Sequence, residues 1–255
     1  MKKAIIITIR IVAFVVLAVS LIIIGKYVIE DIHDSRTETD IRHLKNKGSS
    51  DELPDILEDY ATLYSENNDV IGWLKIPGTS IDYVVMHAPD EPEKYLHKDF
   101  YGNPSNRGCL YVAESCDVLK SDNVIIYGHH MKDGSMFGDL VDYSSESFYK
   151  THKKIYFDTI YEKHSYEIVG VIKTEIPADD EDCFRYYCYT GENDTEMFEQ
   201  YKEFIEENKL YDTSAELQEG DKILTLSTCS YHTDNGRFIV VARQVTDKKF
   251  SISLD

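Results

Sequence analysis

Three residues of this chain have side chains that together could carry out acyl transfer. Cys229 ends the β-branched run 225–229, and Arg237 follows eight residues later at the start of another apolar run. One hundred residues upstream of the cysteine, His129 follows the apolar segment 123–128. A thiol can attack a carbonyl, an imidazole can carry the proton, and a guanidinium can stabilise the oxyanion that forms. These residue types predict a cysteine-dependent acyl-transfer site.

The short connection between the last two apolar runs predicts how the thiol and the guanidinium meet. Only a seven-residue loop separates the runs 221–229 and 237–245, so we expect an antiparallel pair with Cys229 beside Arg237. Arg243 points to the same face of the second run but lies ~20 Å farther along it, too far to serve the same thiol. An ordinary thiol, with a pKa near ~8.5, is mostly protonated at neutral pH and needs a base or a nearby cation to react.

Each of the three residues also fits an ordinary structural role. Cys229 could be a buried cysteine, His129 a hydrogen-bonded residue at a strand end, and Arg237 a solvated charge at a sheet edge. His130 adjoins His129, but consecutive residues of a strand face opposite ways, so only one of the two imidazoles can meet the thiol.

Two further polar residues follow Cys229 closely in the sequence. His232 and Asp234 fall in the loop after the cysteine, and we interpret both as surface residues. The sequence therefore selects no carboxylate that would orient the histidine.

The first 25 residues predict a membrane anchor. Residues 4–25 are apolar apart from three positions, and at ~1.5 Å per helical residue they can cross a ~30 Å hydrocarbon layer. The basic residues lie at the N-terminal end and the following segment is acid-rich, so the positive-inside rule predicts a cytoplasmic N-terminus and an extracellular domain. A cleaved signal peptide is the alternative, but residues 21–25 offer no small-x-small cleavage site before Lys26.

The sequence predicts three parts of the chain. Residues 1–25 form the cytoplasmic tip and transmembrane anchor. Residues 26–50 are charged, end in Gly-Ser-Ser and form a stalk, and residues 51–255 form one domain. Acidic residues outnumber basic ones by 46 to 27, and the net charge of −19 argues against nucleic acid or anionic lipid as the main partner.

Five cysteines leave at least one thiol unpaired within the chain. Cys109 with Cys116, and Cys183 with Cys188, could form short-loop disulfides in an exported domain. There is no paired Cys-x-x-Cys, matching histidine spacing or calcium-loop pattern, so we expect neither a metal nor another cofactor.

Short β-rich runs separated by turn residues predict a single β-barrel or sandwich rather than a parallel α/β sheet. The runs are 70–76, 81–87, 108–113, 123–128, 154–160, 166–174, 222–228 and 237–245.

Three helices are predicted within the domain. Apolar residues from Leu53 to Leu63 recur at helical spacing, with Ser50 or Asp51 as the cap. Two helical insertions are expected at about 136–150 and 195–208, the second amphipathic and placed just before the cysteine strand.

Four segments of the chain resemble the sortases, the membrane-tethered cysteine transpeptidases of Gram-positive bacteria, and specifically class B. The segment 225–229 matches the family's Thr-Leu-x-Thr-Cys signature, and Tyr-Gly-His at 127–129 is similar to its histidine segment. The opening strand pair at 70–83 and the arginine strand at 237–242 also match. The blocks follow the family's His, Cys, Arg order and cover most of residues 51–245.

The resemblance implies a fold and a set of site residues. The fold would be mainly β, an eight-stranded sortase-type barrel with an N-terminal helix and a helical insertion before the cysteine strand, behind an N-terminal transmembrane helix. His129, Cys229 and Arg237 would be catalytic, with His129 chosen over His130 by the Tyr-Gly-His pattern. By the same analogy, the substrate groove would be lined by Leu96 and Ser227.

The resemblance also implies a two-step reaction. Cys229 would cleave the Thr–Gly or Thr–Asn bond of a C-terminal sorting signal on a surface protein, giving a thioester. An amine of peptidoglycan or of its lipid-linked precursor would then resolve the thioester. Two alternatives stay open: a pilin-polymerising sortase with a lysine acceptor, and a membrane-tethered binding module that has lost catalysis.

Overall fold

The computed structural model describes residues 2–45, 56–178, 183–191, 194–230, 233 and 235–245. The chain divides into two compact units, Met1–Asp40 and Ile41–Asp255. The long helix α1 extends over Lys2–Leu44, continuing through most of the segment that the sequence predicts as a stalk. Its stretch Ile9–Leu44 is long and apolar enough to cross a membrane, with a mean hydropathy of 2.6 in its most apolar 18-residue window.

Eight strands of the second unit form a closed barrel. They are β1 (Val70–Lys75), β2 (Asp82–Met86), β3 (Leu110–Val112), β4 (Asn123–Tyr127), β5 (Lys154–Thr159), β6 (Ser165–Glu175), β7 (Ile223–Cys229) and β8 (Gly236–Gln244). Around the barrel the order is β1-β2-β3-β4-β7-β8-β6-β5, and β5 closes it on β1. The predicted eight-stranded barrel is confirmed.

The last two strands are buried on both faces, which explains their nearly continuous apolar sequence. Leu226 of β7 and Val240 of β8 belong to a core cluster to which all eight strands contribute. The neighbouring Ile239 and Val241 belong to a second cluster on the other face, as the two-residue period of a strand requires.

Helix α4, Thr195–Asn208, covers this second cluster and coincides with the predicted insertion. Its buried residues Phe198, Tyr201 and Ile205 follow helical spacing. The side chain of Asp194 accepts the Met197 N–H at 3.0 Å and so caps the first turn. The amphipathic helix thereby packs its apolar face against the outside of β7 and β8.

The other helical predictions differ in their bounds. Helix α2 covers Glu58–Glu66 and begins later than the predicted start at Leu53; residues 46–55, including the predicted caps, lie outside the described residues. The predicted insertion at 136–150 consists of a 3₁₀ helix at Asp139–Ser144 and the short helix α3 at Glu146–Thr151.

Candidate functional site

Cys229 and Arg237 lie directly opposite each other at the end of the β7–β8 pair, as the short loop predicts. The hairpin is closed beyond them by the Ser230 N–H, which donates to the Gly236 carbonyl at 2.8 Å. Cys229 is the last residue of β7 and is exposed, whereas the six residues before it in the strand are buried. The thiol is therefore the one position of this strand that meets solvent.

The parallel pairing of β4 with β7 carries His129 to the same end of the barrel. Tyr127 is registered against Ser227 in this pair. The alignment continues past the strand, because the Thr228 hydroxyl donates to the Gly128 carbonyl at 2.7 Å. His129 is the next residue after this contact, so it lies at the level of Cys229.

The His129 ring is held by a main-chain oxygen. Its Nε2 lies 2.8 Å from the carbonyl oxygen of Leu96. A carbonyl only accepts, so Nε2 carries the proton and Nδ1 is the open nitrogen of the neutral ring. Burial lowers the pKa of His129, the Leu96 hydrogen bond opposes that effect, and the nearby His97 lowers the pKa further. The two rings are 5.5 Å apart.

The adjacent imidazole contacts the cysteine main chain. Nδ1 of His130 lies 3.1 Å from the carbonyl oxygen of Cys229. Both imidazoles therefore lie at the cysteine end of the barrel, with His129 bound to Leu96 and His130 bound to the strand itself. His232 and Asp234, interpreted from the sequence as surface residues, lie outside the described residues.

The two residues predicted to line the groove differ in exposure. Leu96 is half-buried in the short 3₁₀ helix Lys94–Leu96, and its carbonyl contacts His129. Ser227 is only 1% exposed, and its hydroxyl lies 2.9 Å from that of Tyr186. Any contact of Ser227 with substrate therefore requires Tyr186 to move or to share the contact.

Two tyrosines near the thiol were missed by the sequence analysis. Burial raises the pKa of Tyr186, and Arg237 opposes this shift. Burial also raises the pKa of Tyr111 to about 12, with further contributions from Glu93 and Cys229. Both phenols keep their protons at neutral pH. Their sequence signal was the density of aromatic residues in the segment 184–189 and in β3, and such density alone does not distinguish a core residue from a site residue.

Arg237 is half-buried, and its Nη1 donates to the Gly236 carbonyl at 3.0 Å. Among the described residues no carboxylate forms an ion pair with it. The guanidinium has five N–H donors, so most of them stay available to an oxygen that approaches Cys229.

The other cysteines are thiols as well. Cys116 is buried, which raises the pKa of its thiol to about 11. Cys183 and Cys188 are exposed and free, so neither short-loop disulfide is formed in this structure. Among the described residues, no group of three or more histidine, cysteine or acidic side chains could hold a metal ion.

The chain is similar in sequence to known sortases. The family profile described as the sortase domain matches residues 74–245. Sortase B of Staphylococcus aureus is 30% identical over 239 residues, which cover 90% of this chain and 93% of that protein. Sortase B of Listeria monocytogenes is 28% identical over 228 residues, covering 88% of this chain and 89% of that protein.

Solved structures agree with this similarity. The crystal structure of sortase B from Bacillus anthracis in complex with AAEK1 has a TM-score of 0.73 at 28% identity, covering 86% of this chain and 99% of that one. The Staphylococcus aureus sortase B–substrate complex has a TM-score of 0.69 at 27% identity, with 85% and 96% covered. The fold and these relatives define a β-barrel cysteine transpeptidase. The chain belongs to the sortase family, and within it to class B.

Proposed function

We propose that Cys229 is the nucleophile of this transpeptidase, with His129 as the proton carrier and Arg237 as the oxyanion donor. The observation that carries this proposal is the exposed thiol directly opposite Arg237, at the barrel end where β4 delivers His129. A thiol, an imidazole and a guanidinium that pairs with no carboxylate among the described residues meet the needs of acyl transfer at one edge.

The first step consumes one peptide bond and forms one thioester. The Cys229 sulfur, after giving its proton to His129, attacks the threonine carbonyl carbon of a C-terminal sorting signal. Arg237 donates hydrogen bonds to the oxyanion of the tetrahedral intermediate. As the intermediate collapses, the C–N bond breaks and the imidazolium returns its proton to the leaving amine.

The second step reverses the direction of proton transfer. An incoming amine gives a proton to His129 and attacks the thioester carbon, and the thiolate of Cys229 leaves and is reprotonated. The acceptor is an amine of cell-wall peptidoglycan or of its lipid-linked precursor, and the donor is a surface protein cleaved at a Thr–Gly or Thr–Asn bond. Leu96 and Ser227 line the groove in this proposal.

We also propose that the N-terminal helix holds the enzyme in the cell membrane. Residues 1–25 form the cytoplasmic tip and span, residues 26–50 connect it, and residues 51–255 form the extracellular catalytic domain. The exposed apolar side chains of α1 support this arrangement, with Ile9, Phe14 and Leu21 all at least 60% exposed. The basic residues at the N-terminal end support the orientation.

The test uses full-length protein in detergent with peptides ending in Asn-Pro-x-Thr-Asn-like or Ser/Pro-Pro-x-Thr-Gly-like signals, with and without an amine. Products are identified by mass. We expect cleavage after threonine and amine-dependent ligation, both lost in Cys229→Ala and His129→Ala. Cys183→Ala is the matched control, because it removes another exposed thiol, and it should retain activity. Ligation that persists in Cys229→Ala would refute the assignment.

The same assay separates the alternatives. A peptidoglycan-type amine and a lysine side chain of a pilin-like peptide are offered in competition, and the preferred acceptor distinguishes wall anchoring from pilin assembly. A binding module without catalysis would cut no peptide, and its Cys229 would react with alkylating reagents at the same rate in wild type and His129→Ala.

A further inference from the structure

The carbonyl that binds His129 belongs to a tightly held turn. Tyr95, directly before Leu96, is 2% exposed. Its hydroxyl donates to Oδ2 of Asp69 at 2.8 Å and accepts from Nδ2 of Asn67 at 2.9 Å. The same Asp69 oxygen accepts from Nζ of Lys94 at 2.8 Å. Both residues before Leu96 are therefore bound to one carboxylate.

The main chain at Gly108 holds the other side of this turn. Gly108 has a φ of +60°, and a Cβ atom there would lie 2.4 Å from the Tyr95 oxygen and 2.5 Å from the Leu96 oxygen. Only glycine allows this approach. The next N–H, of Cys109, donates to the Tyr95 carbonyl at 2.9 Å. The Tyr95 oxygen is thus bound to the main chain, and the Leu96 oxygen is directed to His129.

We propose that Tyr95, through its hydrogen bonds to Asp69 and Asn67, is a positioning residue for catalysis: it holds the Leu96 carbonyl against Nε2 of His129. Nδ1 is then the nitrogen that exchanges protons with Cys229 and with the substrate amine. This inference rests on the proposed role of His129. It assigns to a main-chain oxygen the orienting task for which the sequence offered no carboxylate.

Loss of the hydrogen bond between the Leu96 carbonyl and Nε2 of His129 has two consequences for the imidazole. A ring without its Nε2 partner can rotate and can place its proton on either nitrogen. The Leu96 hydrogen bond favours the charged ring and raises the pKa of His129 against the effect of burial, so its loss lowers that pKa further. Among the described residues, the titratable group seen beside the ring is His97, whose ring centroid lies 5.5 Å away.

Tyr60 supplies a matched control. It is fully buried, belongs to the same apolar cluster as Tyr95, and its hydroxyl donates to Asp158 at 2.7 Å. Tyr95→Phe and Tyr60→Phe each remove the hydroxyl of a buried tyrosine that donates to an aspartate. Only Tyr95 is joined to the turn that presents the Leu96 carbonyl.

The first readout is the state of the His129 ring in full-length protein. Histidine is labelled with ¹³C and ¹⁵N, and the His129 signals are assigned with His129→Gln. Cys229→Ala is the background, so that the imidazole titrates without a coupled thiol. We expect an Nε2–H tautomer in this background. Tyr95→Phe should mix the tautomers and lower the pKa of His129, while Tyr60→Phe should change neither.

The second readout is turnover in the protein that retains Cys229. We expect kcat to fall roughly tenfold in Tyr95→Phe, because small errors in position are costly in catalysis, and less than about twofold in Tyr60→Phe. Thermal unfolding should shift to a similar extent in the two variants. If Tyr95→Phe matches Tyr60→Phe in tautomer, pKa and kcat, the inference is overturned.

A second pair of variants acts from the opposite side of the carbonyl. Gly108→Ala and Gly102→Ala both place a methyl group at a positive φ, but nothing lies within 4 Å of a Cβ at Gly102. Only Gly108→Ala should change the His129 tautomer and lower kcat; equal behaviour of the two variants overturns the inference. A fully active His129→Ala would instead refute the proposed function itself.

Discussion

The two ends of strand β8 carry the same side chain in different surroundings. Arg243 donates from Nε to a carboxylate oxygen of Glu167 at 2.8 Å, and its Nη1 lies 3.5 Å from Asp221. Arg237, six residues earlier on the same face, donates to the Gly236 carbonyl and lies opposite Cys229. A guanidinium bound to carboxylates stabilises the strand pairing, whereas one bound to its own turn keeps donors for a ligand.

The outer face of β7 shows the same contrast. The Thr225 hydroxyl lies 2.6 Å from that of Tyr201, and the Ser227 hydroxyl lies 2.9 Å from that of Tyr186. Cys229, next on this face, is exposed. Helix α4 and the segment around Tyr186 therefore cover the strand up to the thiol and stop there. The two comparisons together indicate that the side chains of β7 and β8 are exposed to a ligand at the Cys229 end of the barrel. Farther along the strands, the compared side chains are paired with other protein groups.

Among the substitutions that test this contrast, replacing Arg237 should have the largest effect on the reaction rate. Arg237→Gln should lower kcat/KM by about 10²–10³-fold, because the proposed oxyanion donor would be lost, and leave thermal unfolding nearly unchanged. Arg237→Lys should restore only part of the rate, since an ammonium lacks the planar donor geometry. Steady-state peptide ligation measures both. Full activity of Arg237→Gln would remove Arg237 from the mechanism.

Substitution at Ser227 should lower stability through the loss of its hydrogen bond with Tyr186. Ser227→Ala and Tyr186→Phe each leave a buried hydroxyl without its partner, so each should lower the free energy of unfolding by about 1 kcal/mol. The double variant should cost less than the sum of the two. Urea unfolding measures this coupling. Strict additivity in stability, together with a rate loss in Ser227→Ala alone, would indicate direct substrate contact.

Substitution of Arg243, at the other end of β8, should change the stability of the protein rather than its reaction rate. Arg243→Gln removes the contacts to Glu167 and Asp221 and should lower the free energy of unfolding by roughly 1 kcal/mol. Turnover at a temperature well below unfolding should stay within about twofold of wild type, since Arg243 lies ~20 Å from the thiol along the strand. A large rate loss in a stable Arg243→Gln protein would break the contrast between the two arginines.

The smallest expected effect is that of His97 on the pKa of His129. Burial lowers the pKa of His129 below its ordinary value of 6.5, and His97 lowers it further, so His97→Gln should raise that pKa. A higher pKa means that more of the imidazole is protonated at a given pH near neutrality. Histidine NMR in the Cys229→Ala background measures the shift. A lower pKa in His97→Gln would show that His97 acts on His129 by another route.

Local patterns predicted the strands and the Cys229–Arg237 pair well. The loop between β7 and β8 is so short that antiparallel pairing fixes the register, and the structure has the expected partners. Helix α4 also coincides with its prediction, because its apolar face and its following turn are both encoded locally. Local patterns left a barrel and a sandwich open, and the family resemblance implied the eight-stranded barrel that the structure has.

Long-range contacts were beyond such patterns. The parallel pairing of β4 with β7 joins segments one hundred residues apart, and no local spacing specifies it. The Leu96 carbonyl was missed for a related reason: a main-chain oxygen has no residue type to recognise. The Tyr186–Ser227 contact depends on how the segment before α4 folds against β7, and periodicity does not specify that. Helix α1 continues past the apolar run because charged residues also favour a helix.

The central claim is that Cys229 forms a covalent acyl intermediate at the open end of the barrel. The most direct test is intact-mass analysis of full-length protein mixed with a cleavable sorting-signal peptide in the absence of an amine acceptor. We expect an adduct on Cys229 with the mass of the peptide up to its threonine, and hydroxylamine should release it. The adduct should form in Arg243→Gln and be absent in Cys229→Ala. An adduct that persists in Cys229→Ala, or that maps to another residue, would contradict it.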